Sequence, residues 1–138
     1  MNRVELGGGD FQLETKSAVC VVKRVAPRVG LVQLTGDLDD ELYAPVAAFM
    51  TQLMEPSGPL HFFIDAEHVK SYTPGIRINW TRWFEQHRSR VHCHVMVKSA
   101  LVKMAIMLMK IAVGDVIQPY SDRNAFETRL RQVAQQQA

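Results

Sequence analysis

Residues 60–97, LHFFIDAEHVKSYTPGIRINWTRWFEQHRSRVHCHVMV, change hydrophobic period twice. Leu60-His61-Phe62-Phe63-Ile64 is an apolar run closing on Asp65, the pattern of a buried strand. Ala66 to Pro74 reads as a loop. Ile76, Trp80, Trp83, Phe84 and His87 then recur at i, i+4, i+7, i+8 and i+11, one face of a helix. Val91 to Val97 returns to strand composition. Strand, helix, strand in that order predicts parallel neighbours joined by a right-handed crossover.

Upstream, Ala18 to Val25 and Val29 to Leu34 are β-branched runs separated by Ala26-Pro27-Arg28, short enough for an antiparallel hairpin. After Gly36 the period becomes helical, with Leu42, Val46, Phe49, Met50 and Leu53 on one face. Asp37, Asp39, Asp40 and Glu41 cluster at the start of this helix, where its dipole favours carboxylates. Pro45 either places the regular start near Ala44 or kinks the helix, and Pro56-Ser57-Gly58-Pro59 ends it.

Downstream, Ser99 is an N-cap for a third helix that Gly114 stops. Val116-Ile117 is a last short strand before Pro119. Ser121 or Asp122 caps a final helix with Phe126, Leu130 and Val133 inward. Gly7-Gly8-Gly9 is a flexible break, so residues 1–10 are expected to be a loose arm and residues 11–138 one domain. The expected class is α/β. A mainly parallel central sheet of about five strands, with an antiparallel N-terminal strand, carries about four helices.

Of the 138 residues 47% are apolar and 22% charged, and 16 Lys+Arg against 14 Asp+Glu leave a formal charge of +2. That balance excludes a disordered tail and a strongly cationic nucleic-acid clamp. Two cysteines, Cys20 and Cys93, are too few for a disulfide framework and sit in apolar runs as buried thiols. The N-terminus lacks the apolar core of a secretory signal. The longest apolar stretch, Ala100 to Val113, contains Lys103 and Lys110 and stops short of the about 20 residues a bilayer span needs. A cytoplasmic protein without a transmembrane segment is the expectation.

In a parallel sheet, ligand and switch residues gather beyond the carboxyl ends of the strands. Asp37, Asp65, Glu67, His68, Lys98, Ser99, Tyr120 and Asp122 follow predicted strand ends. Ser99 is a nucleophile or anion contact in an enzyme, or simply the cap of its helix. Val97-Lys98-Ser99-Ala100 is no G-x-S-x-G elbow, which favours the cap. Asp65 is an acid/base or metal carboxylate, or it holds the following loop; the structural role is the commoner one. His92 and His94 share a strand face, but no convergent ligand set accompanies them, and no metal is expected.

Between Arg77 and Arg90 stand four arginines (Arg77, Arg82, Arg88, Arg90) against one acid, Glu85. They form a solvated face or an anion contact. Trp80 and Trp83 fall on the stripe that meets the sheet and are expected in the core. The third helix is apolar almost all round, and one helix on a small sheet buries about a third to a half of its girth. The remainder, with Met104, Met107, Leu108 and Ile111 as candidate interface residues, calls for neighbouring helices, a second copy, a protein partner or an acyl or other apolar ligand.

Val32-Gln33-Leu34-Thr35-Gly36-Asp37-Leu38, Phe62-Phe63-Ile64-Asp65 with Val69 after it, Trp80 and Trp83, and Tyr120-Ser121-Asp122 carry a family likeness. On these residues, from Val19 to Val133, the chain resembles the STAS-like superfamily, and within it the small SpoIIAA-like (STAS or SEC14-like) domain proteins. The resemblance implies a single STAS-like domain acting as a non-enzymatic regulatory or protein-binding module, with no catalytic residues and no cofactor. In anti-sigma-factor antagonists of this superfamily a kinase phosphorylates a Ser or Thr where the second helix begins, in the pattern Asp-Ser-Ser-Gly. Here Ser71-Tyr72-Thr73-Pro74-Gly75 stands there, with Gly75 in the glycine place and Thr73 near the phosphoacceptor. The Asp is missing, a Pro replaces one Ser, and the stretch is one residue shorter.

Thr73 and Ser71 are therefore the candidate phosphoacceptors. Asp37, Asp65, Glu67, His68, Tyr72, Gly75, Arg77 and Ser99 form the candidate switch loop and binding surface. A new phosphate would be repelled by Asp65 and Asp37. The implied partner is a regulatory protein or kinase, with a homodimer and a small anionic ligand as further candidates and nucleic acid excluded. The SEC14-like side of the resemblance implies an alternative, a carrier or sensor of a lipid or small apolar ligand.

Overall fold

The hairpin expected upstream of the first helix is part of a longer antiparallel meander. β1 (Asn2–Gly7), β2 (Asp10–Glu14), β3 (Ala18–Ala26) and β4 (Val29–Leu38) pair in chain order. α1 (Tyr43–Met54) follows, and β5 (Leu60–Tyr72), α2 (Pro74–Gln86), β6 (Val91–Met96), α3 (Ala100–Val113), β7 (Ile117–Tyr120) and α4 (Arg123–Gln137) complete the chain. This computed structural model describes residues 1–54 and 58–137, so Pro56 and Ser57 of the expected helix-ending stretch lie outside the described residues.

The seven strands form one sheet in the order β1-β2-β3-β4-β5-β6-β7, antiparallel up to β4 and parallel from β4 onward. It is the mixed α/β class expected, with two more strands than the sequence reading proposed. The larger core lies between one sheet face and α1, α2 and α3, and includes Val32, Phe62, Val95, Met50, Trp83 and Ile106. On the opposite face α4 sets Phe126 and Val133 against Val29, Phe63 and Met96. Trp83 is buried and Trp80 packs half-buried beside it, as the helical stripe predicts.

Two expectations are corrected. Residues 2–7 are not a loose arm: they pair with β2, and Gly7, Gly8 and Gly9, all at positive φ (99°, 63° and 92°), form the turn between the two strands. The signal for β2 is the alternation Phe11, Leu13, both buried, between polar neighbours. Residues 66–72 are not a loop but the second half of β5, in parallel register with β4. Glu67, His68 and Lys70 look like loop residues, yet they alternate with Ala66 and Val69, which are buried. A register shift between Asp65 and His68 accommodates the change of face, and pairing along the whole of β4 overrides the local polarity.

Pro45 lies in the first turn of α1, where no intrahelical N–H bond is lost, so the helix starts beside Ala44 as one of the two readings proposed. Two arginines of the expected basic face are helix caps supplied from a neighbour. Arg88 donates to the Ala112 carbonyl at 2.7 Å, at the end of α3, and Arg90 to the Met54 carbonyl at 2.8 Å, at the end of α1. The last carbonyls of a helix have no intrahelical donor, and a cation there also meets the negative end of the dipole.

α4 is fastened to the sheet by one guanidinium. Arg123 donates to both Asp65 carboxylate oxygens at 2.8 and 2.9 Å, to Glu67 at 2.7 Å and to Glu127 at 3.1 Å. Asp65 is only 9% exposed. Arg123→Met should therefore destabilise the fold by about 2 kcal/mol in urea titration, because it leaves a buried carboxylate unpaired while the arginine itself is partly solvated. Asp65→Asn in that background should recover part of the loss, and an additive double mutant would show that the pair does not act as a unit.

Candidate functional site

The carboxyl ends of β4 and β5 meet the first turns of α1 and α2 at one edge of the sheet. Asp37 on β4 stands opposite Ser71 on β5, and the Ser71 hydroxyl donates to the Asp37 carboxylate at 2.7 Å. Two residues later the strand ends, and Thr73 becomes the N-cap of α2 with extended backbone (φ −78°, ψ 147°) and Pro74 after it. The Thr73 N–H donates to the Leu38 carbonyl at 3.0 Å, which ties the cap to the end of β4.

The Thr73 side chain makes no capping bond to the helix. Its hydroxyl donates instead to the Asp40 carboxylate. That carboxylate sits against the first turn of α2 at Gly75, where an added Cβ would lie 2.6 Å from both Asp40 carboxylate oxygens. Gly75 is thus the residue that admits Asp40 to the positive end of α2. Asp39 caps the 3-10 turn Asp40–Leu42 that leads into α1, accepting from the Glu41 N–H at 3.0 Å. Asp40 stands ahead of α1, as the acidic cluster predicts, but its carboxylate reaches the start of α2, a role for which membership of the cluster is the only sequence signal. Asp39, Asp40, Glu41 and Thr73 rim a surface depression with Thr15, Lys16 and Ser17 on its far side.

The structure separates the predicted surface into five places. Asp37, Ser71, Thr73 and Gly75 lie together around Asp40. Tyr72 and Arg77 line a cavity of about 110 Å³ between the sheet and α1, α2 and α3, whose other walls include Phe62, Val46, Trp80 and Met109. Asp65 and Glu67 are bound to Arg123 on the α4 face, and the Asp65 carboxylate also accepts from the Glu67 N–H at 3.3 Å. His68 is exposed on β5, opposite Thr35. Ser99 caps α3, its hydroxyl oxygen accepting from the Val102 N–H at 3.2 Å. Glu67 is held below the usual carboxylate range, first by its bond to Arg123.

On α3 the inner face is Val102, Ala105, Ile106, Met109 and Val113. Met104, Met107, Leu108 and Ile111 all face outward, Met107 at 66% and Ile111 at 83% exposure. Three of the five histidines, His61, His92 and His94, lie on the other side of the sheet. His61 stacks on His92 at 5.3 Å, and His94 is buried beneath Phe63 at 4.4 Å with Nδ1 2.8 Å from the Tyr120 hydroxyl. Among the described residues no group of three or more His, Cys, Asp or Glu is placed to hold a metal ion. Cys20 and Cys93 are free and buried, and burial pushes the Cys20 thiol up to about 12.

No family model matches the sequence, and no curated protein matches it either. Solved structures do. An uncharacterised protein from Shewanella loihica with a SpoIIAA-like fold superposes with a TM-score of 0.61 at 10% identity, over 86% of this chain and 98% of that one. An anti-sigma factor antagonist from Mycobacterium paratuberculosis gives 0.60 at 16% identity, over 86% and 99%. The anti-sigma factor antagonist SpoIIAA in its unphosphorylated form gives 0.57 at 14% identity, over 82% and 96%. The fold is SpoIIAA-like, as the resemblance implies. No helix among the described residues is long and apolar enough to cross a membrane.

His94 sets a pH dependence. Burial, then the charges of Arg129, His61 and His92, lower it from 6.5 to about 4. The unfolded chain therefore binds a proton that the folded chain refuses between those values. Stability should be full above pH 6.5 and fall as the pH drops toward 4, by roughly 2–3 kcal/mol. Urea midpoints measured across that window should decline in the wild type and flatten in His94→Gln; an unchanged slope in the variant would assign the decline elsewhere.

Proposed function

We propose that this chain is a non-catalytic regulatory module that binds a protein partner through the start of α2 and the β4–α1 loop, switched by phosphorylation at Thr73 or Ser71. One observation carries the reading: both hydroxyls are held by carboxylates close together in the chain, Ser71 by Asp37 at the end of β4 and Thr73 by Asp40 just beyond it. A phosphate replaces such a donor with about −1.5 to −2 of charge. At Thr73 it would take the place of a hydrogen-bond donor to Asp40 and meet Asp37, Asp39 and Glu41 nearby. Repulsion would drive Asp40 off the α2 terminus and shift the loop relative to the helix, changing the surface a partner meets.

The likeness to two anti-sigma factor antagonists supports a regulatory role for this fold. The partner in this reading is a regulatory protein or a kinase, in the cytoplasm. The engagement of Ser99 as a helix cap and of Asp65 by Arg123 supports a role without catalysis. A second reading, a carrier or sensor of a small apolar ligand, is favoured by the cavity of about 110 Å³. Cavities with such apolar walls stay dry and admit small apolar guests.

Intact-mass measurement on protein from its native cells should show a species one phosphate heavier. Thr73→Val should abolish it if Thr73 is the acceptor, and Ser71→Ala if Ser71 is. A uniformly unmodified mass under every growth condition would sink the switch. A co-purifying acyl species in native mass spectrometry would favour the carrier. Independently of modification, Asp40→Ala should lower stability by about 1 kcal/mol through loss of charge at the α2 terminus.

A further inference from the structure

β1 is the last strand at its edge of the sheet among the described residues, and all of its residues are exposed. Natural edge strands are usually blunted by proline, by a covering element or by charges that repel a copy. Asn2-Arg3-Val4-Glu5-Leu6 contains no proline, and its one irregularity, between Glu5 and Gly7, lies against β2 next to the glycine turn. Its apolar members Val4 and Leu6 are 43% and 48% exposed. The backbone N–H and C=O groups on the outer side of such a strand are a template for another strand.

We infer that β1 pairs antiparallel with β1 of a second copy of this chain, in the register that sets Val4 opposite Val4, joining two sheets edge to edge. The charges select that register. A two-fold axis normal to the sheet must pass through a residue facing its own copy. Centred on Arg3 it opposes two arginines, and centred on Glu5 two glutamates. Centred on Val4 it sets Arg3 against the copy's Glu5, and Glu5 against the copy's Arg3. Directly opposed unlike charges stabilise an antiparallel pair and like charges destabilise it.

The two charges are already arranged for this. Arg3 and Glu5 share a face, Arg3 Nε donating to Glu5 at 2.8 Å with its guanidinium 3.9 Å from the Phe11 ring centre. On the other face Val4 meets Val4, flanked by Leu6 against Asn2. Behind Val4 the register runs through Gln12 to half-buried Val21, and Val19, in the neighbouring row, is also exposed. Pairing would add a Val4–Val4 contact to this face, on which valines alternate with Gln12 and Glu14. The inference is independent of any modification at Thr73 or Ser71 and uses a different surface from the outer face of α3.

Five opposed residue pairs make a small interface, so the dimer should be a concentration-dependent equilibrium. Sedimentation equilibrium of the full chain should show the dimer fraction rising with concentration. Arg3→Glu and Glu5→Arg should each weaken self-association about tenfold, since each turns two unlike pairs into two like ones. Mixed in equal amounts, the two variants should associate again as a heterodimer, a rescue that misfolding of either cannot produce. A monomer up to about 1 mM would overturn the inference. So would a dimer indifferent to both reversals, a mixture no better than its components, or a dimer lost only in Met107→Glu.

Discussion

The parallel pairing of β4 with β5 is the constraint on which the rest of the molecule depends. It runs from Val29 opposite His61 to Leu38 opposite Tyr72, longer than the β5–β6 and β6–β7 ladders on its parallel side. It is also where the sheet changes from antiparallel to parallel. A parallel neighbour requires a crossover, so the chain between β4 and β5 must climb over a sheet face, and α1 does so. Because the ladder continues to Leu38 and Tyr72, it delivers Asp37 and Ser71 to adjacent positions and brings Thr73 to the mouth of α1. Shorten the pairing to the apolar residues alone and the polar constellation at its end would have no fixed geometry.

That dependence explains what was legible in the sequence and what was not. The β5–α2–β6 unit shows in residues 60–97 because its signal is local: helical period between two apolar runs. The second half of β5 does not, because Glu67, His68 and Lys70 read as loop and only the distant β4 makes them strand. β1 is missed for a related reason. Three glycines suggest a flexible break, and nothing in residues 1–10 shows that they form a turn whose partner strand is Asp10–Glu14. The likeness to SpoIIAA-like proteins did anticipate that Thr73 and Gly75 stand at the start of α2. Asp40 was invisible at that site because its role comes from tertiary placement: a residue adjacent in sequence to one helix serves the terminus of another.

Charge is distributed by the same logic. The carboxylates on the α4 face, Asp65 and Glu67, are met by Arg123, which secures a helix that buries few large side chains. Arg88 and Arg90 are used at the carbonyl ends of α3 and α1. A basic stretch in the sequence is therefore half internal architecture. The acids at the start of α1 are different. Asp37 and Asp40 accept from hydroxyls, which are neutral donors, and Asp39 from a backbone N–H. Neutral donors bring no compensating positive charge, so a negative charge added at Ser71 or Thr73 would meet repulsion that an arginine would have quenched.

The outer face of α3 presents the opposite problem, apolar surface without a partner among the described residues. Each apolar side chain left in water on the outer face of that helix forgoes the roughly 25 cal/mol per Å² that burial would give. Met104, Met107, Leu108 and Ile111 form a contiguous ridge at helical spacing, which scattered surface residues do not. Lys103 and Lys110 stand among these residues in the sequence, and α3 carries no acid at all. The alternation of opposite charges that Arg3 and Glu5 give β1 has no counterpart on α3.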